Sequence, residues 1–380
     1  MKSVLERMEE NNSQEKIAAF RLMQQQDYAF KKYHAELRAW DFYNDPAVQG
    51  KCYVAVGGLD SITLYLFLKS IGIDVPGVSV SFLEDRSIQQ VHKALGVTCL
   101  PPALRPDGRP WNKAAIIREF GFPVLSKEIA GKISLLQHPS EKNATVRHAI
   151  ITGETGAYGG HRKGTRMKMS QKWLNKFGGY ENETEGVNYG TPDFLVSDRC
   201  CYYLKEKPCN DYAKQSGRYP YMGLMASEGG RRQKALMING CNYISKGTKR
   251  SAPFAIFNRQ DLLTLALELH VPLPEIYGEI VRDPNGTLRT TKAQRTGCSM
   301  CGFGIHLEKR PHRFDMLRES NPAEWEYQMY HIGQDVNGRE IGWGHVLDYI
   351  DVGWRDYPGG KLEGQIEMEA NHDQQDPERR

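Results

Sequence analysis

No stretch of the 380 residues approaches the roughly 18 apolar residues that a membrane-spanning helix needs. The opening MKSVLERMEENNSQEK lacks the apolar run of a secretory leader. A cytoplasmic protein with no membrane partner is the expectation. An excess of one charge sign is also missing. Lys and Arg number 50 against 46 Asp and Glu, a net charge of +4, so composition alone does not announce nucleic-acid binding and local clusters must carry that argument. There is no internal repeat, no G-x-x-x-x-G-K-[ST] loop and no G-x-G-x-x-G fingerprint. Cysteine is absent from the 79 residues after Cys301. What is present is a chain with 40% hydrophobic residues, enough for one large or two modest cores.

Alternation of short apolar runs with helical patterns begins near residue 50. YVAV (53–56) reads as a buried strand, SITLYLFLKSIG (61–72) as a helix stopped by Gly72, and GVSVSFLED (77–85) as a second strand. SIQQVHKALG follows as a helix with Ser87 at its N-cap, then VTCL as a third strand, and AAIIREFG and PVLSKEIAGKI continue the alternation. This order predicts an α/β fold, a doubly wound parallel sheet with helices on both faces. RQKALMINGC, RQDLLTLALELH and HRFDMLRESNPAEWEYQMY read as further helices. The expected organisation is an N-terminal helical segment over 1–48, a main domain over 49–310, a helical extension over 311–361 and a disordered acidic tail over 362–380. The N-terminal helices serve either as a partner-binding arm or as packing against the core. Residues 155–192, rich in Gly, Lys, Arg, Asn and Tyr, read as a long insertion.

Two features carry chemistry. The first is VGGLDS (56–61), which joins the first strand to the first helix, the end of a strand where open α/β sheets bind ligands. Gly57 and Gly58 bring bare N–H groups to an anion, Ser61 adds a hydroxyl, and Asp60 either caps the helix or orients a metal ion. A plain capped glycine turn would look the same. The second is Cys200-Cys201 and, with 96 residues between, Cys298-x-x-Cys301. Thiolates are soft ligands, and two close pairs complete a four-thiolate set once the chain folds back. Zinc and an iron–sulfur cluster both fit that ligand type. Cys209 is a spare ligand, a sulfur-carrying catalytic thiol or a small buried hydrophobe; Cys52, Cys99 and Cys241 read as core.

VGGLDS resembles the PP-loop, usually SGGxDS, of the adenine-nucleotide α-hydrolase superfamily, with Val56 in place of the first serine. The paired cysteines, CCYYLKEKP, GLMASEGGRRQKAL and SAPFAIFNRQDLLTLA are similar to segments of its PAPS reductase family, over roughly residues 50–310. The resemblance implies ATP or a related adenine nucleotide at Gly57, Gly58, Leu59, Asp60 and Ser61, with Glu84 toward adenosine and Glu228, Arg231 and Arg232 toward the anionic end. It implies a 4Fe–4S cluster on Cys200, Cys201, Cys298 and Cys301. Asp60, Ser61 and Cys209 are the catalytic candidates, with Mg²⁺ as a helper for pyrophosphate. The sulfonucleotide reductases of that family attack with a C-terminal cysteine, for which nothing after Cys301 stands in. The relatives that combine these sites without it activate an acceptor with ATP and deliver sulfur, as in the DNA phosphorothioation component and the tRNA thiolases. A sulfur donor such as a cysteine desulfurase is then implied as partner.

TGAYGGHRKGTRMKMSQK (155–172) contains no acid and carries Arg162, Lys163, Arg166 and Lys168, a candidate contact for DNA or tRNA phosphates. KGTKR (246–250) is a second basic cluster, and His306 reads as a packing residue near the cysteines. Two other readings stay open: a phosphoadenylyl- or adenylyl-sulfate reductase giving sulfite, and a non-catalytic nucleic-acid-binding module with a structural zinc.

Overall fold

The computed structural model describes residues 4–80, 82, 84–157, 160–162, 167–179, 181–182 and 187–355. They fall into two compact units. Among the described residues the first takes 4–101 and 208–297, the second 102–207 and 298–355. The segment 49–310 is thus shared between both units.

In the first unit, helices α1 (Val4–Gln24) and α2 (Tyr28–Asn44) precede strand β1 (Cys52–Ala55), helix α3 (Leu59–Ser70), strand β2 (Gly77–Ser79), helix α4 (Arg86–Ala94) and strand β3 (Thr98–Cys99). After Pro208 come the strands Tyr219–Met222, Asn242–Ile244 and Lys249–Ser251. Together they form one six-stranded sheet in the order β3, β2, β1, Tyr219–Met222, Lys249–Ser251, Asn242–Ile244. All neighbours are parallel except the last pair. This is the predicted α/β sheet. The strands are short because each needs only a few buried residues: Cys52, Tyr53 and Val54 are all buried.

Helix α2 packs on this core through Ala35, Ala39 and Phe42, so it is no free arm. Its Ala39 carbonyl accepts from the buried Tyr221 hydroxyl at 2.7 Å, and its buried Lys31 pairs with Asp261 at 2.9 Å. Asp85, not Ser87, caps α4: its carboxylate accepts the Ser87 N–H at 2.8 Å. The strand predicted over 77–85 ends at Ser79.

The predicted alternation stops at β3. AAIIREFG and PVLSKEIAGKI become helices α5 (Lys113–Phe120) and α6 (Lys127–Gln137), and both belong to the second unit. They join a core of Phe122, Phe194, Phe314, Trp325, Trp343 and their neighbours. Helices Arg313–Ser320, Pro322–Tyr330 and Trp343–Tyr349 supply that core, so residues 311–355 are structural rather than an appendage. The 155–192 region also departs from a bare loop. Its helix Gln171–Phe177 buries Trp173, Leu174 and Phe177 in the same core. The tail predicted over 362–380 lies outside the described residues.

Candidate functional site

The glycine loop lies in the first unit. The ladder continues one residue past β1, with the Val56 N–H donating to the Val78 carbonyl at 2.8 Å. Val56 is buried in the core, and a Cβ on Gly77 would sit 3.2 Å from its methyl. The residue that replaces the usual serine is therefore a packing residue. Gly57 and Gly58 follow, and α3 starts with Gly58 as its N-cap and Asp60 in its first turn.

The loop is stitched by its own side chains and by residues far along the chain. Ser61 Oγ accepts the Gly57 N–H at 2.7 Å and donates to the Gly58 carbonyl at 2.9 Å. The Tyr277 hydroxyl accepts the Leu59 N–H at 3.0 Å, one of the helix's orphan donors, and is 2.8 Å from Thr296 Oγ1. That hydroxyl fills the place a Cβ on Gly58 would take, so glycine is required there by close approach. Buried His92 donates its Nε2–H to the Gly57 carbonyl at 2.8 Å, and burial pushes its pKa down, which keeps it neutral near pH 7. Buried Glu84 stands beside it, with Oε1 3.7 Å from where a Gly57 Cβ would lie. Gly223, at the end of the neighbouring strand, leaves room for α3: a Cβ there would come within 2.9 Å of the Ser61 backbone.

Charges gather at the same helix start. Asp60 accepts from Arg259 Nη1 at 2.9 Å, and Arg259 Nη2 donates to the Gln294 carbonyl at 2.9 Å. Buried Glu228 pairs with Arg232 at 2.6 Å and lies 3.7 Å from Arg295. Burial pushes the Asp60 carboxyl up, and Arg259 opposes that rise. Asp60 is thus not the N-cap, and its carboxylate is engaged by Arg259. Three arginines stand against Asp60 and Glu228, with Glu84 a third carboxylate beside Gly57, and the arginines beside a helix N-terminus suit an oxyanion. Arg231 falls in the helix Gly230–Asn239. Sequence reasoning missed Tyr277, Thr296, His92, Gly223, Arg259 and Arg295. Gly223, His92 and Arg259 lay inside segments already singled out, whereas Tyr277, Thr296 and Arg295 did not.

All four predicted metal ligands lie in the second unit. Cys200, Cys201, Cys298 and Cys301 line one small space together with Lys113 and Phe303. The first pair sits in the helical turn Arg199–Cys201. The second pair forms a turn in which the Cys301 N–H donates to the Cys298 carbonyl at 3.1 Å and Met300 adopts φ of +48°. Gly302 follows because a Cβ would collide with the Trp343 ring and come within 2.8 Å of the Pro123 carbonyl. Gly304 N–H then donates to the Leu125 carbonyl at 2.6 Å, which fixes this stretch beside residues 122–125. Arg313 Nη1 donates to the Cys301 carbonyl at 3.1 Å.

Burial pushes the Cys200 thiol well up and the Cys201 thiol to about 11; the neighbouring thiols add to both, while Lys113 pulls on Cys200 and Lys127 hydrogen-bonds Cys201. Four mutually repelling thiolates around one small space, Cys200 buried and the others half-buried, are unfavourable until a cation joins them. Soft donors beside two lysines, in a mostly buried space, fit a metal–sulfur centre of low net charge. Among the described residues no group of three or more His, Cys, Asp or Glu side chains is gathered tightly enough to hold one ion.

The other candidates are placed as follows. Cys209 belongs to the first unit, packed against Tyr53, Val78, Val80 and Leu100, and does not line the thiol space. Cys52 and Cys241 are buried as expected, whereas Cys99 is exposed at the end strand of the sheet, which corrects its reading as core. His306 packs edge-on against Trp173 at 5.5 Å. Arg162 ends a short strand Gly160–Arg162, Lys168 is exposed, and Lys163 and Arg166 lie outside the described residues. In KGTKR, Lys249 donates to the Tyr219 hydroxyl at 2.8 Å and Arg250 lies 5.5 Å over the Tyr243 ring.

No family model matches this chain, and no curated protein matches it. Among solved structures it is similar to the crystal structure of phosphoadenylyl-sulfate (PAPS) reductase from Candida auris, a phosphate complex, with 11% identity, a TM-score of 0.32, and coverage of 67% of this chain and 89% of that one.

Proposed function

We propose that this chain is a PAPS reductase-like enzyme that binds ATP or a related adenine nucleotide at Gly57–Ser61, holds a 4Fe–4S cluster on Cys200, Cys201, Cys298 and Cys301, and activates a nucleic-acid acceptor for sulfur insertion. The observation that carries the reading is the four cysteines around one space, drawn from two points separated by 96 residues. A four-iron cluster spreads its thiolates over separate irons, in keeping with thiols that share a space without closing on a single point. The cluster would supply a redox or sulfide-holding centre. The resemblance of VGGLDS to a PP-loop and the basic residues of the 155–172 segment supply the nucleotide and the acceptor.

In this reading an acceptor oxygen attacks the α-phosphorus of ATP, the bond to the β-phosphate oxygen breaks, and pyrophosphate leaves with its electron pair. Sulfide from a donor protein then displaces AMP, so the acceptor gains sulfur where it had oxygen. The chain's share is to neutralise and position phosphate. The α3 N-terminus and Arg232, Arg259 and Arg295 would do so, and Mg²⁺ would assist the departure of pyrophosphate. Anaerobically purified protein is expected to contain iron and acid-labile sulfide and to release pyrophosphate from ATP faster with nucleic acid present. Zinc in place of iron, with no ATP turnover, overturns the proposal; sulfite from adenylyl sulfate would assign it to the reductases instead.

A further inference from the structure

The second unit carries a cleft of about 500 Å³ that neither site uses, a volume ordinary for small-molecule sites. Six polar side chains face it: Arg105, Asn112, Arg118, Glu119, Tyr327 and Gln334.

Arg105 is held in place with its hydrogen-bonding capacity unspent. Its guanidinium lies over the buried Trp111 ring at 5.1 Å. Asp107 and Glu119 approach it only to 3.7 and 3.8 Å, outside hydrogen-bond reach. Its Nε is buried and makes no hydrogen bond among the described residues, with Asp107 the nearest carboxylate at 3.7 Å. A buried donor left unmet is costly, and a planar fork held on an aromatic face is suited to an oxyanion taken bidentately. Arg118 adds a second guanidinium, already engaged with the His331 carbonyl at 2.9 Å and Glu340 at 3.4 Å. Glu119 in the lining, with Asp107 and Glu340 beside the two guanidiniums, offsets their charge, so the cleft suits one phosphate at most and not a polyphosphate. The remaining groups are an exposed phenol, Tyr327 at 43%, and two side-chain amides. Exposed aromatic rings stack on bases, and amides and carboxylates pair with base edges.

We infer that this cleft binds a single phosphorylated nucleoside, its phosphate on Arg105 and its base against Tyr327. The unit is either a free nucleoside monophosphate or one residue of a single strand; the chemistry is shared. The site is separate from Gly57–Ser61, and the inference stands whether or not that loop binds ATP.

Equilibrium dialysis of the full chain with AMP, and separately with a single-stranded DNA dodecamer, tests it. Arg105→Met keeps the aliphatic stem on Trp111 and removes the donors. Tyr327→Ala removes an exposed ring and Tyr327→Phe restores it. Each of Arg105→Met and Tyr327→Ala is expected to weaken one class of site by about tenfold or more, with Tyr327→Phe near wild type. Loss for AMP identifies a free nucleotide; loss for the dodecamer alone identifies a strand residue. If wild-type protein binds neither probe, or if both variants bind each probe as wild type does, the inference is overturned. A residual AMP site unaffected by either variant belongs to the loop and leaves the cleft's own loss readable.

Discussion

The glycine loop and the cysteine space solve opposite problems. Around the loop, polar groups already answer one another: Ser61 holds Gly57 and Gly58, Tyr277 holds Leu59, His92 holds the Gly57 carbonyl, and Arg259 holds Asp60. Around the cysteines, buried thiols raise one another, and the lysines only partly offset it. One site is built before any ligand arrives. The other, on the proposed reading, would be completed by a metal centre. Preorganisation of the first kind lowers the cost of binding, whereas completion of the second kind converts binding energy into folding energy.

The contrast can be broken most strongly at the cysteines. Cys200→Ser or Cys298→Ser is expected to abolish retained iron and to lower the melting temperature of anaerobically prepared protein, with Cys99→Ser unchanged; iron quantification and a thermal melt check both. Next in size is Gly58→Ala, whose Cβ meets the Tyr277 hydroxyl. Overpacking of this kind costs about 1–3 kcal/mol. Tyr277→Phe alone leaves the Leu59 N–H unanswered at about 1 kcal/mol, yet combined with Gly58→Ala it should cost less than the sum. Denaturant unfolding of the four proteins of that cycle measures the coupling.

Acid sharpens the comparison from the second unit's side. Buried Asp315 is pushed up by burial, but hydrogen bonds from His312 and Arg310 outweigh that and hold it at about 2. Because the folded value lies below the ordinary carboxylate value, the stability it contributes is full above about pH 4 and is lost as pH falls toward 2. Asp315→Asn should remove about 2 kcal/mol at neutral pH and flatten the stability curve between those limits. An effect of the same order as that of Tyr277→Phe is expected at Ser61→Ala. Two hydrogen bonds vanish, so nucleotide-free protein should lose about 1–2 kcal/mol. Were Ser61 only a ligand contact, nucleotide-free stability would not move.

Both sites were legible where their residues are close in sequence. A strand meeting two glycines and a helix reads as an anion loop, and Cys-Cys with a distant C-x-x-C reads as a four-thiolate set. What supports the loop was not legible, because Tyr277 and Arg259 reach it from about 200 residues away, and no local pattern marks a tyrosine whose hydroxyl will meet a helix start. Helices α5 and α6 were recognisable as helices. Which core they joined was not, since an apolar face says that it needs cover without saying by what. Cys99 failed for a related reason: VTCL looks like core until the strand proves to be the last of its sheet.

The positions of the cysteines along the chain have a consequence for its entropy. Cys201 lies shortly before the crossing from the second unit to the first at Pro208, and Cys298 is the first residue after the return. A centre bound by both pairs would close the 96-residue excursion between them into a ring. By loop-closure arithmetic, a cross-link around about 100 residues removes on the order of 4–5 kcal/mol of freedom from the unfolded chain. The gain would fall on the first unit's returning segment, which supplies no thiol to the centre, and it would be the same for iron or zinc.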